Sequence, residues 1–294
     1  MLQLPADFSR SAGWRIAGAG SVRINGFIMA KIHPSSIVEA GAILADDVEV
    51  GPLCYVGPNV KIGAGTKLIG QCRVDGYTEI GCGNIIYPFA SLGMNAQDVH
   101  VEEGKKTYLK VGDHNIFREN FTAHSGTMPD TVTVIGSHCM FMACSHVAHN
   151  CVIGNHVIVV NGACLAGYCE VGDHAVISGL TGVHQFCRVG RYAILSGGSA
   201  FSQDIPPFMM AEGRNGGVKM INLVGLKRGG FSDEAIRVIR DLYKLYYLRG
   251  LSPRNALEAV KTQLPQTDEV KEFIAFCESS KRGVLPPRIA GKRA

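Results

Sequence analysis

From Ile32 onward every sixth residue is aliphatic, beginning Ile32, Val38, Leu44, Val50, Val56 and continuing unbroken to Leu92. The period breaks there, resumes at Val111, Phe117 and Ala123, breaks again, and then runs from Ile135 to Phe201, so that twenty-six positions obey one rule. Glycine repeatedly follows the aliphatic residue, as in Val50-Gly51, Ile62-Gly63 and Ile153-Gly154, which reads as a flat strand leading into a tight corner. An α-helix cannot carry this pattern, because residues six apart lie about 240° apart around its axis and the apolar stripe would smear. A β-helix can: with one hexad per face and three faces per coil, aliphatic side chains stack in columns inside a prism, and each coil rises by about 4.8 Å. The pattern predicts an all-β solenoid over 30–204, about nine coils and on the order of 40 Å long. The two breaks, 93–110 and 126–134, are expected to be inserted loops that leave the prism, where binding residues commonly sit.

Beyond Phe201 the pattern stops and Pro206-Pro207 marks the exit. The remainder, 205–294, predicts a C-terminal α-helical domain with a basic tail. Ser232 caps a helix with Asp233 and Glu234 in its first turn and Gly250 at its end; Ser252-Pro253 opens a second helix and Thr267 a third. Their apolar stripes are expected to cover the open end of the prism. Residues 1–29 lack both the period and an apolar core, and read as a disordered extension or a misassigned start, with Met29 just before the pattern begins.

Composition narrows the function classes. Of the 294 residues 46% are hydrophobic and 18% charged, enough for a sizeable core. The net charge of +4 is too small to argue for nucleic acid, but it is unevenly placed: 205–294 carries a net +7 and the preceding residues a net −3. No run of 18 apolar residues is present, so no membrane span is expected. The ten cysteines form no CxxC pair and there is no convincing signal peptide, which places reduced thiols in a cytoplasmic protein. Walker A, GxSxG, HExxH and EF-hand motifs are lacking, as is a GxGxxG after a strand, and nucleotide hydrolysis, elbow-type serine hydrolysis and dinucleotide redox chemistry lose support accordingly.

A prism packed with aliphatics leaves chemistry to its outer surface, most simply to a groove between neighbouring copies. The densest polar constellation is Cys144-Ser145-His146-Val147-Ala148-His149-Asn150-Cys151, with Val147 inward and His146 and His149 flanking it. Three readings stand side by side: a general base at His149 oriented by Asn150, a zinc site from Cys144, His146, His149 and Cys151, and histidines stacked along an exposed face without chemistry. A stiff coil has difficulty converging four zinc ligands, so no metal is expected. Further outward candidates are Gln97 and Asp98 in the first loop, His124 at the second break, His184 and Gln185 after the Val183 rung, and Lys227-Arg228 beyond the prism.

Four separated segments carry a family resemblance: Ser145 to Cys151, Gly182-Val183-His184-Gln185-Phe186-Cys187, Gln203-Asp204-Ile205-Pro206-Pro207-Phe208, and Asn222-Leu223-Val224-Gly225-Leu226-Lys227-Arg228. In order and spacing they resemble the acyl-carrier-protein-dependent UDP-N-acetylglucosamine O-acyltransferases of lipid A biosynthesis, over Ile32 to about Gly283. The resemblance implies a homotrimer of left-handed parallel β-helices with active sites between subunits, no cofactor, acyl carrier protein as the donor and UDP-N-acetylglucosamine as the acceptor. It implies His149 as the general base and Asp98 as a sugar-binding carboxylate. His146, His184 and Gln185 are implied to line the substrate groove, Gly197 to limit acyl-chain length, and Arg228 to contact the nucleotide end, and Gln97, His124 and Asn222 are expected to join them in binding substrate. The chain departs from the family pattern at Asn150, where Asp is frequent, and at Tyr168, Asn215, Val224 and Gly229. Asn150 keeps N-acylation of an amino-UDP-sugar open as an alternative, along with a diverged paralogue acting on another nucleotide sugar.

Overall fold

The computed structural model describes residues 30–99, 101, 104–213 and 216–288, together with the backbone of Trp14–Ile16. The hexads form short strands, most of them two residues long, in which the second residue is buried, as in Tyr55–Val56, Lys61–Ile62 and His146–Val147. Within the hexad repeat each strand pairs in parallel with the strand three further along the chain, so that Val50 lies beside Leu68 and Val147 beside Leu165. Among the described residues this stacking, with the flanking strands added to it, makes sheets of nine, eleven and nine strands, the three walls of a left-handed β-helix. The rung residues Val56, Ile62, Leu92, Val147 and Leu165 are fully buried. Midway along, Phe117, Phe121 and Phe141 fill the bore with ring centroids 4.8 to 5.2 Å apart. The prism is therefore solid, and any site must lie outside it.

The glycines after the rungs serve close approach rather than left-handed backbone. A β-carbon on Gly63 would sit 2.7 Å from the Gly81 carbonyl of the next coil. The left-handed corners fall elsewhere, and mostly on residues other than glycine, including His138 (φ 59°), Asn150 (φ 58°) and Tyr168 (φ 59°). Such corners cost backbone energy, which the stacked neighbours above and below offset.

The excursions are shorter than the sequence pattern implies. Strand Ser91–Met94 runs on past Leu92 to pair with the strand ending at His124, while Tyr108–Val111 pairs with Val132–Ile135 in full register. The two excursions brace each other: Gly126 N–H donates to Tyr108 O at 3.3 Å, and the hydroxyls of Thr107 and Ser125 lie 2.8 Å apart. Of 1–29, only Trp14–Ile16 is described, as a strand antiparallel to Ile43–Ala45; the rest of that segment, and Asn215, lie outside the described residues.

Past the prism the chain does not become helical at once. Met209–Glu212 adds in parallel to Ile194–Leu195 and forms an antiparallel pair with Gly217–Ile221, extending one wall. Four helices follow among the described residues: α1 (Leu223–Arg228), α2 (Asp233–Tyr247), α3 (Pro253–Gln263) and α4 (Asp268–Glu278). Ser232 and Ser252 cap α2 and α3 as the sequence predicts, but Thr267 makes no side-chain cap bond, and α2 ends at Tyr247, short of Gly250. Arg191 ties α4 to the last coils through a bidentate bond to Glu272 at 2.8 to 3.2 Å. The segment after α4 then returns along the prism, with Leu285 N–H donating to Asp204 O and Val218 N–H to Pro286 O. None of the described helices is long and apolar enough to cross a membrane.

Candidate active site

His149 sits between strands His146–Val147 and Val152–Ile153, just before the left-handed corner at Asn150. Asparagine tolerates that conformation, and its short amide folds back onto the preceding ring. His149 Nδ1 lies 3.1 Å from Asn150 Oδ1. The same oxygen accepts from Thr127 N–H and from Thr127 Oγ1, both at 3.0 Å. A carbonyl oxygen can only accept, so His149 Nδ1 carries the proton and the lone pair of the neutral ring is on Nε2. Nε2 faces Asp98 Oδ2 at 3.8 Å, brought over by the first excursion. The ring of Tyr168 stands edge-on to His149, with centroids 5.3 Å apart.

Two more histidines flank this one. His146 Nδ1 shares a 2.7 Å hydrogen bond with Thr122 Oγ1, and the His124 ring meets His146 edge-on at 4.9 Å. Burial holds His146 below the ordinary imidazole range, opposed by the backbone of Thr122 and assisted by His149. Burial also pushes His124 down to about 4, with His146 and His149 adding to the effect, and its Nδ1 has no hydrogen-bond partner among the described residues. Both neighbours are thus neutral near pH 7, and a proton taken up by His149 meets no cation from either of them.

A groove of about 970 Å³ opens from this cluster, with Gln97, His146, His149, His184 and Gln185 on its walls. Its floor is set by register. The outward positions His146, Cys164, Gly182 and Ala200 lie side by side on successive strands of one wall, so the floor passes from an imidazole to a thiol, a bare glycine backbone and a methyl group. A β-carbon on Gly182 would meet nothing within 4 Å. Leu285, Pro286 and Pro287 of the returning tail form part of the wall, and Arg282 reaches His184 Nδ1 at 3.3 Å. The result is a polar end with the His149 lone pair, which Asp98 faces, continued by an apolar trough.

Asp98 and the buried His124 lie beside the cluster but not on the groove wall, and three more candidates lie elsewhere in the chain. Gly197 is not on the groove wall, and a β-carbon there would be 3.2 Å from Gly179 O. Asn222 is buried as the cap of α1, its Oδ1 accepting from Gly225 N–H and its Nδ2 donating to Tyr192 O. Arg228 ends α1 and is exposed. The zinc reading loses its geometry, since Cys151 is buried with Sγ bonded to Ala166 O while Cys144 occupies an exposed corner. Stacking without chemistry is realised by other histidines: His114, His138, His156 and His174 form a column with centroids 4.6 to 5.1 Å apart, ending on Tyr192.

Sequence reasoning missed Gly167 and Thr127. The signal for Gly167 was available: it lies three hexads after His149 and so on the same corner one coil along. Thr127 lies inside the second excursion, where no period applies.

The chain is similar to known proteins along most of its length. The family described as UDP N-acetylglucosamine O-acyltransferase, domain 2, matches residues 204–285, and the bacterial transferase hexapeptide family matches 133–167. The chain is 43% identical over 257 residues to an acyl-[acyl-carrier-protein]–UDP-N-acetylglucosamine O-acyltransferase of Thermodesulfovibrio yellowstonii, covering 87% of this chain and 99% of that one. It is 46% identical over 258 residues to the protein of the same name from Saccharophagus degradans, covering 87% and 100%. Among solved structures it is similar to the UDP-N-acetylglucosamine acyltransferase of Francisella novicida, with a TM-score of 0.83, 35% identity, and 87% and 94% of the two chains covered. With relatives this similar aligned over nearly their whole length, the chain belongs to the acyl-[acyl-carrier-protein]–UDP-N-acetylglucosamine O-acyltransferase family.

Proposed function

We propose that the protein transfers a 3-hydroxyacyl chain from acyl carrier protein to the 3-hydroxyl of UDP-N-acetylglucosamine, the first step of lipid A biosynthesis, and that His149 is its general base. The observation that carries the reading is the Nε2 lone pair of His149 on the wall of an open groove, with the Asp98 carboxylate facing it and an apolar trough beyond. Nε2 takes the proton of the sugar hydroxyl as its oxygen bonds to the thioester carbonyl carbon. The C–S bond then breaks, and the imidazolium returns its proton to the departing thiolate. Asp98 faces Nε2 and stabilises the charge that passes through the ring. The trough over Cys164, Gly182 and Ala200 accommodates the start of the acyl chain.

One chain does not bring Gly197 and Arg228 to this groove, and in our reading a second copy supplies them in a cytoplasmic homotrimer. The basic C-terminal segment suits an acidic carrier protein by charge. Incubation with 3-hydroxyacyl carrier proteins and either UDP-N-acetylglucosamine or its 3-amino analogue, followed by mass spectrometry, tests the reaction. A 3-O-acyl product supports it. Acylation of the amine alone replaces it with N-acyl transfer, to which the uncharged Asn150 beside the base would be suited because an amine is the stronger nucleophile.

A further inference from the structure

The hydrogen bonds behind His149 run in one direction. Thr127 N–H donates to Asn150 Oδ1 at 3.0 Å, which identifies that atom as the carbonyl oxygen. The Thr127 hydroxyl lies 3.0 Å from the same oxygen and must point its only proton there. Its lone pairs are left to accept, and the Tyr168 hydroxyl at 3.1 Å is their donor. We propose that Tyr168 is a positioning residue: acting through Thr127 and Asn150, it holds His149 in the tautomer whose lone pair faces the groove. The inference rests on His149 being the general base.

The physical reason is the orientation of the Asn150 amide. If that amide turned over, its NH2 would face His149 Nδ1, which would then accept, and the ring proton would move to Nε2, leaving no base toward the groove. Two donors from Thr127 oppose the turn. One is fixed by the backbone, and the other is a rotor that is fixed only while Tyr168 occupies its acceptor side. The Tyr168 ring also packs edge-on against His149, so phenylalanine keeps the contact and loses only the hydroxyl. No charge is needed for this arrangement. It gives an uncharged asparagine the orienting role that a carboxylate performs by attraction.

The test uses the full chain labelled with 15N-histidine, long-range 1H–15N spectra, and steady-state transfer to UDP-N-acetylglucosamine. The unmodified protein is expected to show His149 as the Nδ1–H tautomer alone. Thr127→Val is expected to show a measurable Nε2–H fraction and a kcat lowered about two- to tenfold, the scale of one net hydrogen bond, with KM for the nucleotide sugar unchanged. Thr127→Ser restores both. Tyr168→Phe shifts both readouts the same way by less, and Tyr168→Phe combined with Thr127→Val is no worse than Thr127→Val alone, because the tyrosine acts only through the threonine. Additive losses in the double variant, a kcat loss without a tautomer change, or an Nε2–H ring in the unmodified protein would overturn the proposal. If the unmodified protein transfers no acyl group, the proposed reaction fails, and the spectra alone then decide the tautomer relay.

Discussion

A β-carbon on Gly167 would lie 2.5 Å from Nε2 of His149 and closer still to Cε1, so the imidazole occupies space that only glycine leaves. Gly167 belongs to the coil that follows His149, and Tyr168 N–H donates to His149 O at 3.0 Å, which locks the two corners together. The position of the base is therefore set from the next coil as well as from Asn150.

Gly167→Ala is expected to push the His149 ring out of place while the prism stays folded, because φ at Gly167 is not in the left-handed region. A displaced catalytic group costs about 10² in rate, so kcat/KM should fall by that order with an unchanged circular dichroism spectrum. Full activity in this variant would mean that the ring has room the structure does not provide.

His149→Ala is expected to remove about 10² to 10⁴ of turnover without loss of nucleotide-sugar binding, measured by calorimetry alongside the assay. Near-normal turnover would move the base to another residue, with His146, also on the groove wall, next in line.

Gly182→Leu fills the trough where a side chain meets nothing. Excluding two acyl methylenes, each worth about 0.8 kcal/mol when buried, should weaken use of the longer donors by about tenfold and spare shorter ones. An unchanged donor preference across a chain-length series would place the acyl chain outside the trough.

Stability is expected to fall on acidification through His124. Its folded-state value is held down to about 4, whereas an unfolded imidazole titrates near 6.5, so between those limits the unfolded chain binds the extra proton. The contribution is intact above about 6.5 and is lost as the pH falls toward about 4. Urea unfolding at a series of pH values should show a smaller acid loss for His124→Gln; identical slopes would assign the loss to other groups.

Asn150→Asp places a carboxylate against Nδ1 and favours the imidazolium. Because catalysis needs the neutral ring, the acid-side fall in kcat/KM for the hydroxyl acceptor should move to higher pH, while the plateau at alkaline pH rises. A pH–rate profile of both proteins checks this, and a loss of activity across the whole range would show that the amide nitrogen makes a contact a carboxylate cannot.

Periodicity was enough to read the solenoid, because in a β-helix each inward residue touches its equivalents one coil above and below. The six-residue rule is therefore written into Ile32 through Phe201 without reference to distant parts of the chain. The caps of α2 and α3 were legible for the same reason, being local hydrogen bonds from Ser232 and Ser252. His149 and Asn150 stood out as neighbours in sequence. What only the tertiary structure decided is everything that reaches His149 from outside its own hexad. Asp98 and Thr127 arrive on excursions that obey no period, and Gly167 acts by lacking an atom. Asn222, expected from the sequence to bind substrate, is committed to the backbone of Tyr192 and the start of α1. A repeat fixes which residues face out, but which of them meet depends on how loops fold over the wall and on the shapes of their neighbours, and neither is encoded in the spacing of aliphatic residues.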